Sequence, residues 1–167
     1  PGIADAFVET LRESWSGLRW DPSVTDESAL DVSPMNNAMQ LAIVEDHVRD
    51  AIEKGATVLV GGDRVGAGAK GLAYPPTLLD HCTHEMKIVT DETFGPVLPI
   101  VRVRDEEEAI RLANDSRYGL NASVWTQDRH RGVGICRRLE AGTVYLNNHA
   151  ISGAIASCPW AGVKDSG

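Results

Sequence analysis

Leu98-Pro99-Ile100-Val101-Arg102-Val103, running into Arg104-Asp105-Glu106-Glu107-Glu108-Ala109-Ile110-Arg111-Leu112-Ala113-Asn114, is the stretch that decides the fold. A short apolar run gives way to apolar side chains spaced three and four apart, which is a strand handing over to a helix. Asp105 and Glu108 stand at the spacing of a capping box, so the helix is expected over Asp105 to Asn114. The alternation then repeats. Ala122 to Thr126 reads as a second strand, Asp128 to Glu140 as a second helix closed by Gly142, and Thr143 to Leu146 as a third strand. Crossovers of this length join parallel strands, which predicts an α/β fold in which helices pack against a parallel sheet.

Working back toward the N-terminus, Ile3, Phe7, Val8, Leu11 and Trp15 lie at helical spacing and predict one amphipathic helix ending near Gly17. Trp20 to Pro34 is polar, with two prolines, and reads as a surface connection. Ser33-Pro34 has the form of an N-cap followed by proline at the first helical position. Leu41, Val44, Val48, Ala51 and Ile52 mark the buried stripe of the long helix that follows, stopped by Gly55. Thr57 to Val60 is a short strand, and Tyr74-Pro75-Pro76-Thr77-Leu78-Leu79 is extended because residues before proline avoid the helical region. The glycines between them, Gly61-Gly62 and Gly66 to Gly71, lack both a Gly-Lys-Ser/Thr ending and a GxGxxG pattern opening a helix. They read as a plain loop.

Just before the deciding stretch stands Asp91-Glu92-Thr93-Phe94-Gly95-Pro96-Val97. In extended chain Glu92 and Phe94 project to the same side. Gly95-Pro96 then bends the chain and fixes its direction. The expected product is a rigid corner presenting one carboxylate acceptor and one flat apolar face, suited to a sugar hydroxyl beside a planar ring.

A chain of 167 residues is long enough for a real core. The formal net charge of −8 argues against a nucleic-acid partner, which usually needs a basic face. No apolar run approaches the roughly 20 residues of a membrane span. The first residues, Pro1-Gly2-Ile3-Ala4-Asp5, carry no secretion signal, so a cytoplasmic location is expected. They also lack an initiator Met, so the chain is expected to be processed or to be part of something longer. Cys82, Cys136 and Cys158 show no CxxC spacing and no histidine at ligand intervals, so no metal site is predicted.

Other chemistry-bearing residues read modestly. Asn147 and Asn148, just past the third strand, lie where ligands bind in parallel sheets, but asparagines there commonly satisfy loop backbone. His149 lacks a nucleophile or carboxylate in register and reads as a surface histidine rather than a general base. Cys158 has no cationic partner beside it and reads as an inert pocket-lining thiol. Trp160, among small neighbours, either plugs the domain or lines a pocket. Lys164 and Asp165 read as solvated charges.

Several segments, in this order along nearly the whole chain, carry a family resemblance. Glu92-Thr93-Phe94-Gly95-Pro96-Val97 is similar to an E-x-F-G-P-V tract. Asp31-Val32-Ser33-Pro34-Met35, Lys54-Gly55-Ala56 with Gly61-Gly62, and Pro76-Thr77-Leu78-Leu79 fit the same pattern. So do Ala113-Asn114-Asp115-Ser116-Arg117-Tyr118-Gly119-Leu120, Ala141-Gly142-Thr143-Val144-Tyr145-Leu146-Asn147, and the ending Pro159-Trp160-Ala161-Gly162-Val163-Lys164-Asp165-Ser166-Gly167. The chain resembles the C-terminal half of the catalytic region of NAD(P)-dependent aldehyde dehydrogenases.

The resemblance implies that residues 1–167 are part of a three-layer, parallel-sheet catalytic domain. Glu92 would accept hydrogen bonds from the nicotinamide ribose of NAD or NADP, with Phe94 near the nicotinamide. Trp160 would stand beside the aldehyde, and His149, Ile151 and Cys158 would border the substrate tunnel. Asn147 would be mainly structural. Ser33 and Ala161 replace glycines of the usual pattern, and the methyl of Ala161 would narrow or redirect the pocket. The family's nucleophilic cysteine, general base, oxyanion donor and dinucleotide fold are expected upstream of this chain, so no catalytic residue is assigned within it. The implied whole is a homodimer or homotetramer oxidising a small aldehyde to an acid through a thiohemiacetal and thioester, with this piece inactive alone. A coenzyme-A-acylating relative and a binding module that kept the fold but lost the chemistry are the alternatives.

Overall fold

The computed structural model describes residues 2–20, 29–64, 71–149 and 161–167. It divides into two compact units, Pro1–Arg102 and Val103–Gly167.

In the first unit, helix α1 (Ala4–Ser16) forms where the apolar spacing predicts it and stops at Gly17. Val8 is buried, Leu11 and Trp15 are half-buried, and Ile3 and Phe7 face solvent. Helix α2 (Ala38–Glu53) begins later than Ser33-Pro34 predicts. The chain is not yet helical at Met35, whose amide donates to Leu72 O at 2.8 Å. The cap is Asn37, whose side chain accepts from the Gln40 amide at 2.8 Å and so satisfies one of the orphan donors of the first turn. Leu41, Val44, Val48 and Ala51 are buried as expected. Ile52 is not: it lies about 100° round the helix from Ala51 and is 42% exposed. The buried face also includes His47, 7% exposed, which the apolar spacing does not mark.

Strand β1 (Thr57–Val60) pairs antiparallel with β2 (Thr77–Asp80), which is buried along its whole length. The four-residue helix α3 (Lys87–Thr90) leads to β3 (Val97–Pro99), parallel to β2 with Thr77 opposite Val97. β3 is shorter than the expected Leu98 to Val103. The core joins Leu41, Val44, Val48 and Ala51 of α2 to Tyr74, Leu79, Cys82, Met86 and Ile88.

In the second unit, α4 (Glu106–Asn114) is capped by Asp105, whose carboxylate accepts from the Glu108 amide at 2.8 Å. The reciprocal half of the box is displaced by one residue. Glu108 Oε2 accepts from the Arg104 amide at 2.8 Å rather than from that of Asp105. Strand β4 (Tyr118–Gly119) pairs antiparallel with β7 (Val163–Lys164). Strands β5 (Asn121–Val124) and β6 (Thr143–Leu146) are parallel, with Asn121 opposite Thr143, and are joined by α5 (Arg129–Cys136). Helix α5 ends at Cys136 rather than continuing to Glu140. The α/β class and its parallel pairs are as expected, but β1–β2 and β4–β7 add antiparallel pairings that the strand–helix alternation does not disclose.

Of the surface connection predicted over Trp20 to Pro34, residues 21–28 lie outside the described residues, as do residues 65–70 of the glycine loop.

Candidate functional site

The Glu92–Pro96 corner is built on one face of α2. Gln40, Val44 and His47 follow one another at intervals of four and three residues, which aligns them on one side of a helix. The chain reaches them through α3, whose first amide (Lys87) donates to Asp50 Oδ2 at 2.9 Å while Lys87 Nζ pairs with Asp46 Oδ2 at 2.7 Å. Both carboxyls are held below their usual range. For Asp46 the cause is Lys87 and then Arg49; for Asp50 it is Lys54 and then the Lys87 amide.

Thr93 is the anchor. Its hydroxyl is 3.0 Å from His47 Nδ1 and its carbonyl accepts from the Gln40 side-chain amide. Gly95 then lies so close to α2 that a Cβ there would sit 2.5 Å from Val44 Cγ2. Pro96 O accepts from the Thr77 amide at 2.8 Å, which joins the corner to the β2–β3 pair.

With Thr93 held against α2, its two neighbours are left outside. Glu92 is exposed and its carboxylate takes no hydrogen bond or ion pair among the described residues. Phe94 is 72% exposed and adopts φ +44°, a left-handed conformation unusual for a bulky side chain, so the tract is not the extended chain that the sequence predicts. An acceptor with full capacity and an uncovered aromatic ring flank one pinned residue. Sequence reasoning singled out these two and passed over Gln40, His47 and Thr93. The available signal is position: His47 falls on the stripe between Val44 and Val48, and Thr93 is the half-buried residue between two exposed ones.

In the second unit, Asn147 at φ +54° closes a reciprocal pair with Thr126. Its Oδ1 accepts from the Thr126 amide and its Nδ2 donates to the Thr126 carbonyl, both at 2.8 Å. Asn148 Oδ1 accepts from the His149 amide at 2.7 Å, and the His149 side chain faces solvent. Ile151, Cys158 and Trp160 lie outside the described residues.

Lys164 and Asp165 are not free solvated charges. Lys164 Nζ donates to Asn114 O at 2.6 Å and pairs with Glu140 Oε2 at 3.0 Å. Asp165 takes Arg117 Nε at 2.9 Å, and its amide donates to Arg117 O at the same distance. Ser166 Oγ accepts from the Gly119 amide at 3.2 Å. Asn114 completes the knot, donating to Arg138 O and accepting from the Glu140 amide. Three tracts that are separate in sequence, residues 113–120, 138–142 and 161–167, thus form one structural junction. Its partners sit between 24 and 50 residues apart, which is why local pattern does not show them.

A sequence profile described as "Aldehyde dehydrogenase family" matches residues 1–167. The chain is 38% identical over 166 residues to the 3-sulfolactaldehyde dehydrogenase of Pseudomonas putida, covering 99% of this chain and 33% of that protein. It superposes with TM-score 0.88 on the NADP-dependent glyceraldehyde-3-phosphate dehydrogenase of Bacillus halodurans C-125 complexed with NADP, at 39% identity over 99% of this chain and 33% of that one. An aldehyde dehydrogenase of Mycobacterium tuberculosis complexed with NAD+ gives TM-score 0.88 at 32% identity, with 99% and 33% covered. The chain spans about a third of the length of the curated relatives it matches.

Proposed function

This chain belongs to the aldehyde dehydrogenase family, and from that premise we propose that its Glu92–Phe94 corner contacts the ribose–nicotinamide half of NAD or NADP in a longer enzyme. A carboxylate without a partner among the described residues has its acceptor sites available for the two vicinal hydroxyls of a ribose. An exposed ring next to it offers a flat apolar face to a planar heterocycle. Both features fit the group. When bound, the nicotinamide supplies the two-electron acceptor that no amino-acid side chain provides. The chain's own contribution is orientation: Glu92 holds the sugar, Phe94 limits where the ring can lie, and α2 keeps both in place through Thr93.

The whole enzyme is read as oxidising an aldehyde to a carboxylic acid through a thioester on a cysteine outside this chain, and this chain alone as lacking dehydrogenase activity. The assignment of His149, Ile151, Cys158 and Trp160 to the substrate side rests on the resemblance alone. The observation that carries the proposal is the pinned Thr93 with an exposed carboxylate on one side and an uncovered ring on the other.

The test is Glu92→Gln in the complete enzyme. Losing hydrogen bonds to a charged acceptor should raise the KM for NAD(P)⁺ roughly 10-fold or more while leaving the aldehyde KM in place. An unaltered cofactor KM overturns the proposal.

A further inference from the structure

We propose that His47, on the buried face of α2, is a positioning residue for the cofactor contact, acting through Thr93. The inference rests on reading Glu92 and Phe94 as that contact.

His47 is 7% exposed and sits 46 residues before Thr93, yet its Nδ1 lies 3.0 Å from the Thr93 hydroxyl. The Gln40 amide takes the Thr93 carbonyl from about two helical turns further back. Thr93 is therefore fixed at both its side chain and its backbone. Gly95, two residues on, is laid against Val44 between the two. Phe94 lies between these anchors at φ +44°. For a bulky L-residue the left-handed region costs about 1–2 kcal/mol. Such a conformation persists only where the surroundings over-determine it. Here the surroundings are Thr93 and Gly95, and both are fastened to the same helix face.

Freeing the Thr93 side chain removes one of those fastenings. Phe94 then gains the option of relaxing toward ordinary extended backbone, which turns the peptides on either side of it. Glu92 and Phe94 keep their chemistry and lose the fixed relative placement that the left-handed residue gives them. A buried imidazole serving only as core volume would have no such effect, because an apolar side chain of similar size would replace it without altering cofactor binding.

The experiment uses the complete enzyme with His47→Leu, His47→Asn, Thr93→Val, Thr93→Ser and the double variant His47→Leu/Thr93→Val. It reads the dissociation constant of NAD(P)H by its fluorescence, KM for cofactor and for aldehyde, and the unfolding midpoint. His47→Leu and Thr93→Val should each weaken cofactor binding roughly 3- to 10-fold, as loss of one buried hydrogen bond predicts, with the aldehyde KM unmoved. The double variant should be no worse than either single change, because both remove the same bond. His47→Asn, whose amide can reach where Nδ1 stands, and Thr93→Ser should recover most of the loss. Wild-type cofactor affinity in His47→Leu, or full additivity in the double variant, overturns the inference. If His47→Leu fails to fold, Thr93→Val against Thr93→Ser decides, since both alter the half-buried loop partner rather than the core. Glu92→Gln separates the two readings. If it leaves cofactor binding unchanged, the corner itself is misread; if it weakens binding while Thr93→Val does not, only the positioning role of His47 falls.

Discussion

The Arg102 guanidinium closes on the buried Asp80 carboxylate through Nε at 3.0 Å and Nη2 at 2.8 Å, at the last residue of β2. Burial raises the Asp80 carboxyl, but the Arg102 hydrogen bonds and the His81 amide at 2.7 Å outweigh it, and the net shift is downward. A carboxyl depressed in the folded state stabilises the fold above its unfolded value, near pH 4, and that stability is lost as pH falls through the lower folded value. Arg102→Met should therefore cost about 2 kcal/mol at pH 7, a buried-pair loss discounted because Arg102 is 30% exposed. The gap between variant and wild type should narrow below about pH 4, where Asp80 begins to protonate. Unfolding midpoints of both chains from pH 8 to pH 3 check this, and a gap independent of pH contradicts it.

The Gly95–Val44 contact makes a second expectation, about packing. A methyl group on Gly95 would meet Val44 Cγ2 at 2.5 Å, and Val44 is 0% exposed with no room to retreat. Gly95→Ala should push the corner off α2, costing about 1–3 kcal/mol by overpacking and weakening cofactor binding in the complete enzyme. Val44→Ala opens a cavity and destabilises on its own, yet combined with Gly95→Ala it should cost less than the two losses added together. Strict additivity in that cycle would show that the two side chains do not compete for the same space.

Which features were legible in the sequence follows from the range of the forces involved. Helix α1, the stripe of α2 apart from Ile52, and the Asp105 cap are set by neighbours within four residues, and the pattern predicts each of them. Ser33-Pro34 satisfies the local rule for a helix start equally well, but the Met35 amide bonds to distant Leu72 O and Asn37 takes the cap instead. The antiparallel partners of β2 and β4 are chosen by burial across the chain, which periodicity within one strand cannot report. His47 escapes notice because an imidazole reads as polar in a hydrophobic stripe, and its reason for burial, Thr93, is distant. At the candidate site the exposure of Glu92 and Phe94 agrees with the sequence reading, but the extended backbone it expects does not: Phe94 is left-handed, and the clamp beneath it is set by residues too distant for local pattern to show.

Cys82 makes a prediction about reactivity. It lies 2% exposed in the core, where burial pushes its thiol up to about 11. Thiolate, not thiol, is the nucleophile, so at pH 8 the folded chain holds Cys82 almost entirely in the unreactive form. Native wild type and Cys82→Ser should consume a disulfide reagent at the same rate and to the same extent. In denaturant the wild type should consume one equivalent more. Fast native labelling of Cys82 would mean that this part of the core opens readily.

Two glycines of the second unit should respond to the same substitution with opposite sign. At Gly142 a Cβ would stand 1.8 Å from the Ala161 carbonyl oxygen, and the obstacle is backbone, which cannot turn aside as a side-chain tip can. Gly142→Ala should lever residues 161–167 away, loosening Lys164 from Glu140 and Asp165 from Arg117, at about 3 kcal/mol or more. At Gly134, exposed within α5, a Cβ meets nothing within 4 Å, and alanine lowers the entropy of the unfolded helix segment. Gly134→Ala should stabilise by up to about 1 kcal/mol. Amide exchange at Asp165 and Gly167, whose N–H groups donate to Arg117 O and Lys164 O, distinguishes a local cause from a general one. Gly142→Ala should abolish their protection and Gly134→Ala should leave it intact. If both variants shift the midpoint in the same direction, the junction of residues 113–120, 138–142 and 161–167 does not hold the C-terminal segment in the way described.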